Sequence, residues 1–175
     1  QGDSGNDSLN GGLGNDLIDG GDGNDIIEGD DDDDSLSGGS GNDTIIGSAD
    51  ANVIRGDNGA DALLGGDGDD TIVGGAGNDV LTGGDGFDEF WFSLGASPNN
   101  GVDGIRDFVR GVDKIVIYDP NGLVNDLDPL KVTFQNGQTV IDLNHSLAGA
   151  GAVVIPGAAL GDLDIDIIAD DMPLL

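Results

Sequence analysis

One apolar side chain returns at every ninth position along the first half of the chain: Leu9, Ile18, Ile27, Leu36, Ile45, Ile54, Leu63, Ile72, Leu81 and Phe90. The polar positions between them keep the same phase. Counted in units of nine from Gly2, the first position is glycine in all ten units: Gly2, Gly11, Gly20, Gly29, Gly38, Gly47, Gly56, Gly65, Gly74 and Gly83. The sixth position is Asp7, Asp16, Asp25, Asp34, Asp43, Asn52, Asp61, Asp70, Asp79 and Asp88, and the apolar residue is the eighth. Extended backbone at the end of each unit points one apolar side chain inward and its neighbours outward. Glycines at the first, second and fourth positions permit positive φ and close backbone approach, as a tight turn demands. Each unit reads as a turn followed by a short strand.

One buried residue in nine is too little for an ordinary core, so a unit of this kind must stack on copies of itself. Two units make one coil, with turns on alternate edges and strands in two parallel sheets. Ten units give five coils, roughly 24 Å long at about 4.8 Å per strand spacing. The predicted fold is all-β, a parallel β-roll over residues 1–91.

Charge decides what this surface meets. The chain carries 35 acidic residues against five Lys and Arg, a net charge of −30. Nucleic acid needs Lys/Arg clusters, and anionic headgroups are repelled equally, so neither is a partner. The partner implied is a cation. The 34 glycines and few aromatics also fit a disordered acidic coil, but such a coil does not hold three positions in phase over ten units. There is no cysteine, which excludes disulfides and thiolate metal sites. No apolar run approaches the roughly 20 residues of a membrane span. The chain opens in mid-pattern at Gln1-Gly2-Asp3 without signal-peptide features, so it is expected to be a piece of something longer.

Stacking creates a site. The sixth-position carboxylates of successive turns on one edge come to lie about one strand spacing apart. At about 5 Å and an effective dielectric of about 20, two such charges repel by about 3 kcal/mol. Glycine-rich turns add outward carbonyl oxygens. Hard oxygens with surplus negative charge suit Ca²⁺, which accepts six to eight ligands in flexible geometry; Mg²⁺ demands a strict octahedron, and soft metals find no ligand here.

The segments GGLGNDLID at 11–19, GGDGNDIIE at 20–28, GGSGNDTII at 38–46 and GGAGNDVLT at 74–82 resemble the RTX, or haemolysin-type, calcium-binding nonapeptide repeat, Gly-Gly-x-Gly-x-Asp-x-apolar-x. The resemblance implies a right-handed parallel β-roll with Ca²⁺ between adjacent turns on each edge. The ligands it implies are the sixth-position carboxylates, with a weaker Asn52, and turn carbonyls. The matching turn residues are Gly5, Gly12, Gly14, Gly21, Gly23, Gly39, Gly41, Gly59, Gly66, Gly68, Gly75, Gly77, Gly84 and Gly86. Among the departures from the motif, GDDDDDSLS at 29–37 lacks two turn glycines, and GSADANVIR at 47–55 has Asn52 for the ligand. Asp32 and Asp50 fill fourth positions, where Asp tolerates positive φ. Six to eight ions are expected, with the row through Asp7 complete and any vacancies, or longer Ca–O distances, beside Asn52.

Beyond Phe90 the composition changes. Residues 92–175 have a net charge of −8, against −22 for residues 1–91. Strand-like runs fall at 114–118, 131–135, 139–143 and 152–155, with a hairpin signal at Asn136-Gly137. This half is expected to cap the roll, and Phe87, Phe90, Trp91 and Phe92 are expected to widen the core at the junction. Residues 103–115 and 159–168 resemble the segments that follow the repeats in type I-secreted proteins. That likeness implies an uncleaved secretion signal read by an ABC exporter and an extracellular location. The final Asp-Asp-Met-Pro-Leu-Leu departs from the tails of such proteins.

No catalytic centre is expected. His145 stands alone, no His-Glu-x-x-His zinc helix occurs, and Asp30–Asp34 opens like an EF-hand but has Ser35 at the turn glycine. The sequence predicts a module that folds on extracellular Ca²⁺ and supports secretion and stability of a larger protein. A polysaccharide- or surface-binding module, or the tail of an upstream protease, lipase or epimerase, shares the same repeats.

Overall fold

The computed structural model describes residues 1–93, 101–109 and 111–118 with their side chains, and the backbone of 131–135, 138–142, 152–156 and 165–168. The nonapeptide units supply ten strands: β1 (Ser8–Leu13), β2 (Leu17–Asp22), β3 (Ile26–Asp31), β4 (Ser35–Ser40), β5 (Thr44–Ser48), β6 (Val53–Asn58), β7 (Ala62–Asp67), β8 (Thr71–Ala76), β9 (Val80–Asp85) and β10 (Glu89–Ser93). Each begins at the seventh position and most run into the third position of the next unit. No helix occurs among the described residues.

Odd and even strands form separate parallel sheets, β1-β3-β5-β7-β9 and β2-β4-β6-β8-β10, so alternate units share a sheet and the whole is a parallel β-solenoid of about five turns. The register steps by two units: Ile18 pairs with Leu36, Leu36 with Ile54, Ile54 with Ile72 and Ile72 with Phe90. Eighth-position side chains from both sheets meet as one stack, and every member from Ile18 to Phe90 is buried. Leu9, in the first coil, is partly buried against it. Stacking therefore turns one apolar residue in nine into a continuous core.

The roll does not stop with the repeats. β11 (Val102–Ile105) pairs in parallel with β9, and β12 (Lys114–Tyr118) with β10, bringing Ile105, Ile115 and Ile117 into the same core. β13 (Lys131–Gln135) and β14 (Gln138–Asp142) pair antiparallel, with Gln135 opposite Gln138. That register is the hairpin signalled in the sequence, although Asn136 and Gly137 lie outside the described residues. β15 (Ala152–Pro156) joins β14 to β11, and β16 (Ile165–Ile168) extends the other sheet beyond β12. His145 is outside the described residues.

Turn chemistry follows position strictly. In all ten units φ is positive at the second and fourth positions and nowhere else. Where aspartates stand there, φ is lower: Asp3, Asp30, Asp32, Asp50 and Asp57 lie at 75°, 75°, 76°, 66° and 68°, close to the left-handed basin, whereas Ser48 lies at 96° and Gly41 and Gly59 reach 128° and 152°. The glycine-poor units keep the turn because Asp tolerates that basin.

Phe87 departs from the sequence expectation. It is 64% exposed, because the fifth position lies on the outer rim of the turn, while Phe90, Trp91 and Phe92 are buried. Trp91 packs with Val73 and Val116 on the opposite side of the sheet from Phe90, and its indole N–H donates to Glu89 at 3.0 Å.

Candidate metal centre

The sixth-position carboxylates are buried on both edges: Asp25, Asp34, Asp43, Asp61, Asp70, Asp79 and Asp88 are each 1–3% exposed. Their two oxygens have different fates. Oδ1 accepts the sixth-position N–H of the preceding coil, as from Asp7 to Asp25, Asp16 to Asp34, Asp25 to Asp43 and Asp43 to Asp61, all at 2.8 Å. The ladder continues from Asp61 to Asp79 at 3.0 Å and from Asp70 to Asp88 at 3.1 Å. Oδ2 accepts nothing. In Asp7, Asp16, Asp25, Asp34, Asp43, Asp61, Asp70, Asp79 and Asp88 alike it is a buried oxygen without a hydrogen-bond partner. A buried, unpaired anionic oxygen is costly, and a series of nine demands a positive partner.

The first-position glycine explains where that oxygen points. Its φ is never positive, so it is not there for turn conformation. A methyl group on Gly11 would sit 2.6 Å from Asp16 Oδ2 and 2.9 Å from the Gly29 carbonyl oxygen of the next coil. The same pair of oxygens crowds Gly2, Gly20, Gly29, Gly38, Gly56 and Gly65. The paired register skips this position in every repeat ladder, for example passing from Asp19–Ser37 to Gly21–Gly39. Each of these seven first positions thus leaves a cradle in which a carboxylate oxygen and a carbonyl oxygen converge. Fourth-position carbonyls stack beside it: a side chain on Gly23, Gly41, Gly59, Gly77 or Gly86 would strike the carbonyl of Gly5, Gly23, Gly41, Gly59 or Gly68. Second-position carbonyls do the same from Gly21 to Gly39 and from Gly66 to Gly84. Gly12, Gly14 and Gly75 hold the same positions in their turns, each at positive φ.

Asn52 shows what these oxygens lack. Its Oδ1 accepts from Asp34 N–H at 3.0 Å, which fixes the amide orientation. Its Nδ2 stands where Oδ2 stands elsewhere, and donates to the carbonyls of Ala49 and Asp50 at 3.2 and 3.1 Å. One neutral donor closes this turn from within. In the nine aspartate turns the equivalent atom is an acceptor, and where a carbonyl of the next coil lies beside it a cation can satisfy both. Among the described residues no three acidic or histidine side chains converge on one point. Each site must therefore combine carboxylate and carbonyl oxygens, an all-oxygen set that fits Ca²⁺.

Burial opposes ionisation while these carboxylates lack a cation. It pushes Asp61 and Asp70 up to about 7 and Asp88 to about 6, and raises Asp34, Asp43 and Asp79 as well, with repulsion from neighbouring carboxylates adding to most of them. For these acids the folded pKa lies above the unfolded value, near 3.8. The metal-free roll therefore binds more protons than the unfolded chain between about pH 4 and 7, and its stability falls as pH rises through that window. In EDTA, β-signal in circular dichroism should grow as pH is lowered from 8 toward 4. With calcium present protons compete for the same oxygens, and the calcium midpoint should rise over the same range.

The two rows run further than the repeats. Asp79 N–H donates to Asp103 Oδ1 at 3.0 Å, and Asp88 N–H to Asp113 Oδ1 at 3.4 Å. The steps are 24 and 25 residues rather than 18, which is why a count by nines misses both. The signal was present as Gly-Val-Asp-x-Ile at 101–105 and again at 111–115. Asp107 is a further unread participant. Its carboxylate accepts from Gly83 and Gly84 N–H at 3.0 and 2.9 Å, beyond the last residues that β9 pairs with β11.

Four overlapping matches to the RTX calcium-binding nonapeptide repeat cover residues 1–36, 28–63, 37–72 and 55–90, just over half the chain. The chain belongs to the RTX repeat family. RTX nonapeptide repeats bind calcium, and the RTX β-roll is a structural calcium-binding module rather than a catalytic one. No curated protein sequence matches this RTX chain. Among solved structures it resembles a subunit of the Azotobacter vinelandii mannuronan C5-epimerase, at 27% identity over 79% of this chain and 84% of that one, with a TM-score of 0.58. It also resembles the extracellular lipase LipA from Serratia marcescens, at 20% identity and a TM-score of 0.51, a likeness of fold alone. That match takes in 95% of this chain but 39% of the lipase chain.

Proposed function

We propose that this RTX chain is a calcium-triggered folding module of a larger secreted protein. The roll of residues 1–91 binds the ions, and residues 92–175 supply the cap and the signal read by a type I, ABC-exporter apparatus. The observation that carries the reading is the set of nine buried Oδ2 atoms without partners. Calcium bound there supplies the positive charge that lets stacked carboxylates and turn carbonyls share one space. In a calcium-poor cytoplasm the chain, at −30, stays open and fits a narrow export channel; in millimolar extracellular calcium, binding free energy becomes folding free energy. Affinity per site on the order of 10⁻⁴–10⁻³ M suits that switch.

Co-expression of a reporter fused ahead of this chain with a type I exporter tests the reading. The fusion is expected in the medium, protease-resistant when calcium is present and degraded when it is chelated. A fusion retained in the cell with the exporter active, while the purified roll still folds on calcium, would remove the export role and leave the folding role. The likeness to the epimerase subunit favours one second reading, an accessory module for a polysaccharide. A glycan array probed with the calcium-loaded chain separates the two, since an export module binds no glycan.

A further inference from the structure

The odd-numbered turns form a row through Asp7, Asp25, Asp43, Asp61 and Asp79, and its last repeat carboxylate faces beyond the repeats. Asp79 is 2% exposed, its Oδ1 accepts from Asp61, and its Oδ2 has no partner. Residues 101–105 lie over it and rebuild a repeat turn position by position. Gly101 has φ 60° and sits against the Gly77 carbonyl, as fourth-position glycines do throughout the roll. Val102 N–H donates to Asn78 Oδ1 at 2.7 Å, the bond that joins Asn24 to Asn6 and Asn42 to Asn24 at the fifth position. Asp103, 3% exposed, accepts from Asp79 N–H as a sixth-position residue. Gly104 N–H donates to the Asp79 carbonyl at 2.8 Å, and Ile105 enters the core stack as an eighth.

The even row ends differently. Asp113 accepts from Asp88, but its Oδ2 is taken by Val109 N–H at 2.6 Å. Gly111 has positive φ, yet a side chain there would meet nothing within 4 Å, so this turn has lifted off the one below.

We propose that Asp79 and Asp103, with carbonyls of the 74–77 and 101 turns, form an additional calcium site outside the repeat motif, and that Asp113 forms none. The proposal rests on the reading of the repeats as calcium sites. It makes the row through Asp7 hold five ions rather than four. The other row, closed from within at Asn52, holds three. The total is eight, of which one belongs to residues beyond 91.

Asp103→Asn and Asp113→Asn keep the Oδ1 acceptor and differ in which row they touch. Calcium is counted by equilibrium dialysis and elemental analysis at saturation, with folding followed by circular dichroism. Asp103→Asn should lose one ion per chain and Asp113→Asn none. An unchanged count in Asp103→Asn, with the other ions still bound, overturns the added site and leaves the repeat sites standing. No ions bound by the unaltered chain would instead overturn the repeat reading itself. Should Asp103→Asn fail to fold, anomalous diffraction at a calcium-sensitive wavelength from the unaltered chain decides. A peak between Asp79 Oδ2 and Asp103 upholds the site, and its absence, with peaks lower in the row, removes it.

Discussion

Stripped of calcium by EDTA at pH 8, the chain is expected to lose nearly all of its β-structure and to regain it in millimolar CaCl₂. Among the described residues the main core is a column of side chains from Leu9 to Phe90, continued by Phe92, Ile105, Ile115 and Ile117. Burying each gains about 1.5–3 kcal/mol, while ordering a residue costs about 1–2 kcal/mol, and one in nine contributes to the column. Backbone bonds between coils do not close that gap, because their net worth is only about 0.5–1.5 kcal/mol each. Against them stand nine buried Oδ2 atoms without a hydrogen-bond partner, whose negative charge is costly to bury without a cation. Magnesium at the same concentration should leave the chain open, since Mg²⁺ demands a near-ideal octahedron and holds its waters, whereas Ca²⁺ accepts a flexible set of carbonyl and carboxylate oxygens. A folded spectrum in EDTA at pH 8, or equal folding in MgCl₂, would be incompatible with this assignment.

The second large effect is expected at Asp43, in the row without an interruption. Asp43→Ala removes the acceptor of Asp25 N–H, leaving a buried donor unpaired at a cost of about 1–3 kcal/mol, and it removes one carboxylate ligand. If about seven ions bind in one transition, a loss near 3 kcal/mol is shared among them and raises the calcium midpoint only about two-fold. The clearer signs are a lower ion count and a shallower titration. Asn52→Asp should act in the opposite sense. It deletes the amide bonds to Ala49 and Asp50 and installs a tenth unpaired oxygen. The apo chain should then be less stable, the calcium count one higher and the transition steeper. Titrations followed by circular dichroism, with bound ions counted in parallel, measure both variants. A steeper transition in Asp43→Ala, or a lower count in Asn52→Asp, would contradict the geometry.

The repeat pattern made the roll legible because one constraint acts on every unit at once. Gly2 through Phe90 keep phase, so turn, strand and core positions could be assigned without knowing any contact. The terminal rungs were harder to read, since their constraint is geometric rather than periodic. Asp103 and Asp113 meet the same neighbours as their counterparts, but insertions carry them to steps of 24 and 25. β11 and β16 were missed for a related reason: Val102–Ile105 and Ile165–Ile168 are short, and their partners lie far away in sequence. Glycine at the first position had two readings, positive φ or close approach. Only the oxygens converging on the vacant Cβ position show it to be the second. At Asn52 the sequence showed a lost charge, whereas the structure shows a gained donor that closes the turn.

The assignment of both rows rests on where the ions lie. Anomalous diffraction from crystals grown in calcium locates them without reference to any variant. Peaks are expected beside Oδ2 of Asp7, Asp16, Asp25, Asp34, Asp43, Asp61 and Asp70, between consecutive coils, with none beside Nδ2 of Asn52. Peaks confined to the exposed outer carboxylates, or a peak at Asn52 equal to the rest, would show that the buried oxygens are not what calcium binds.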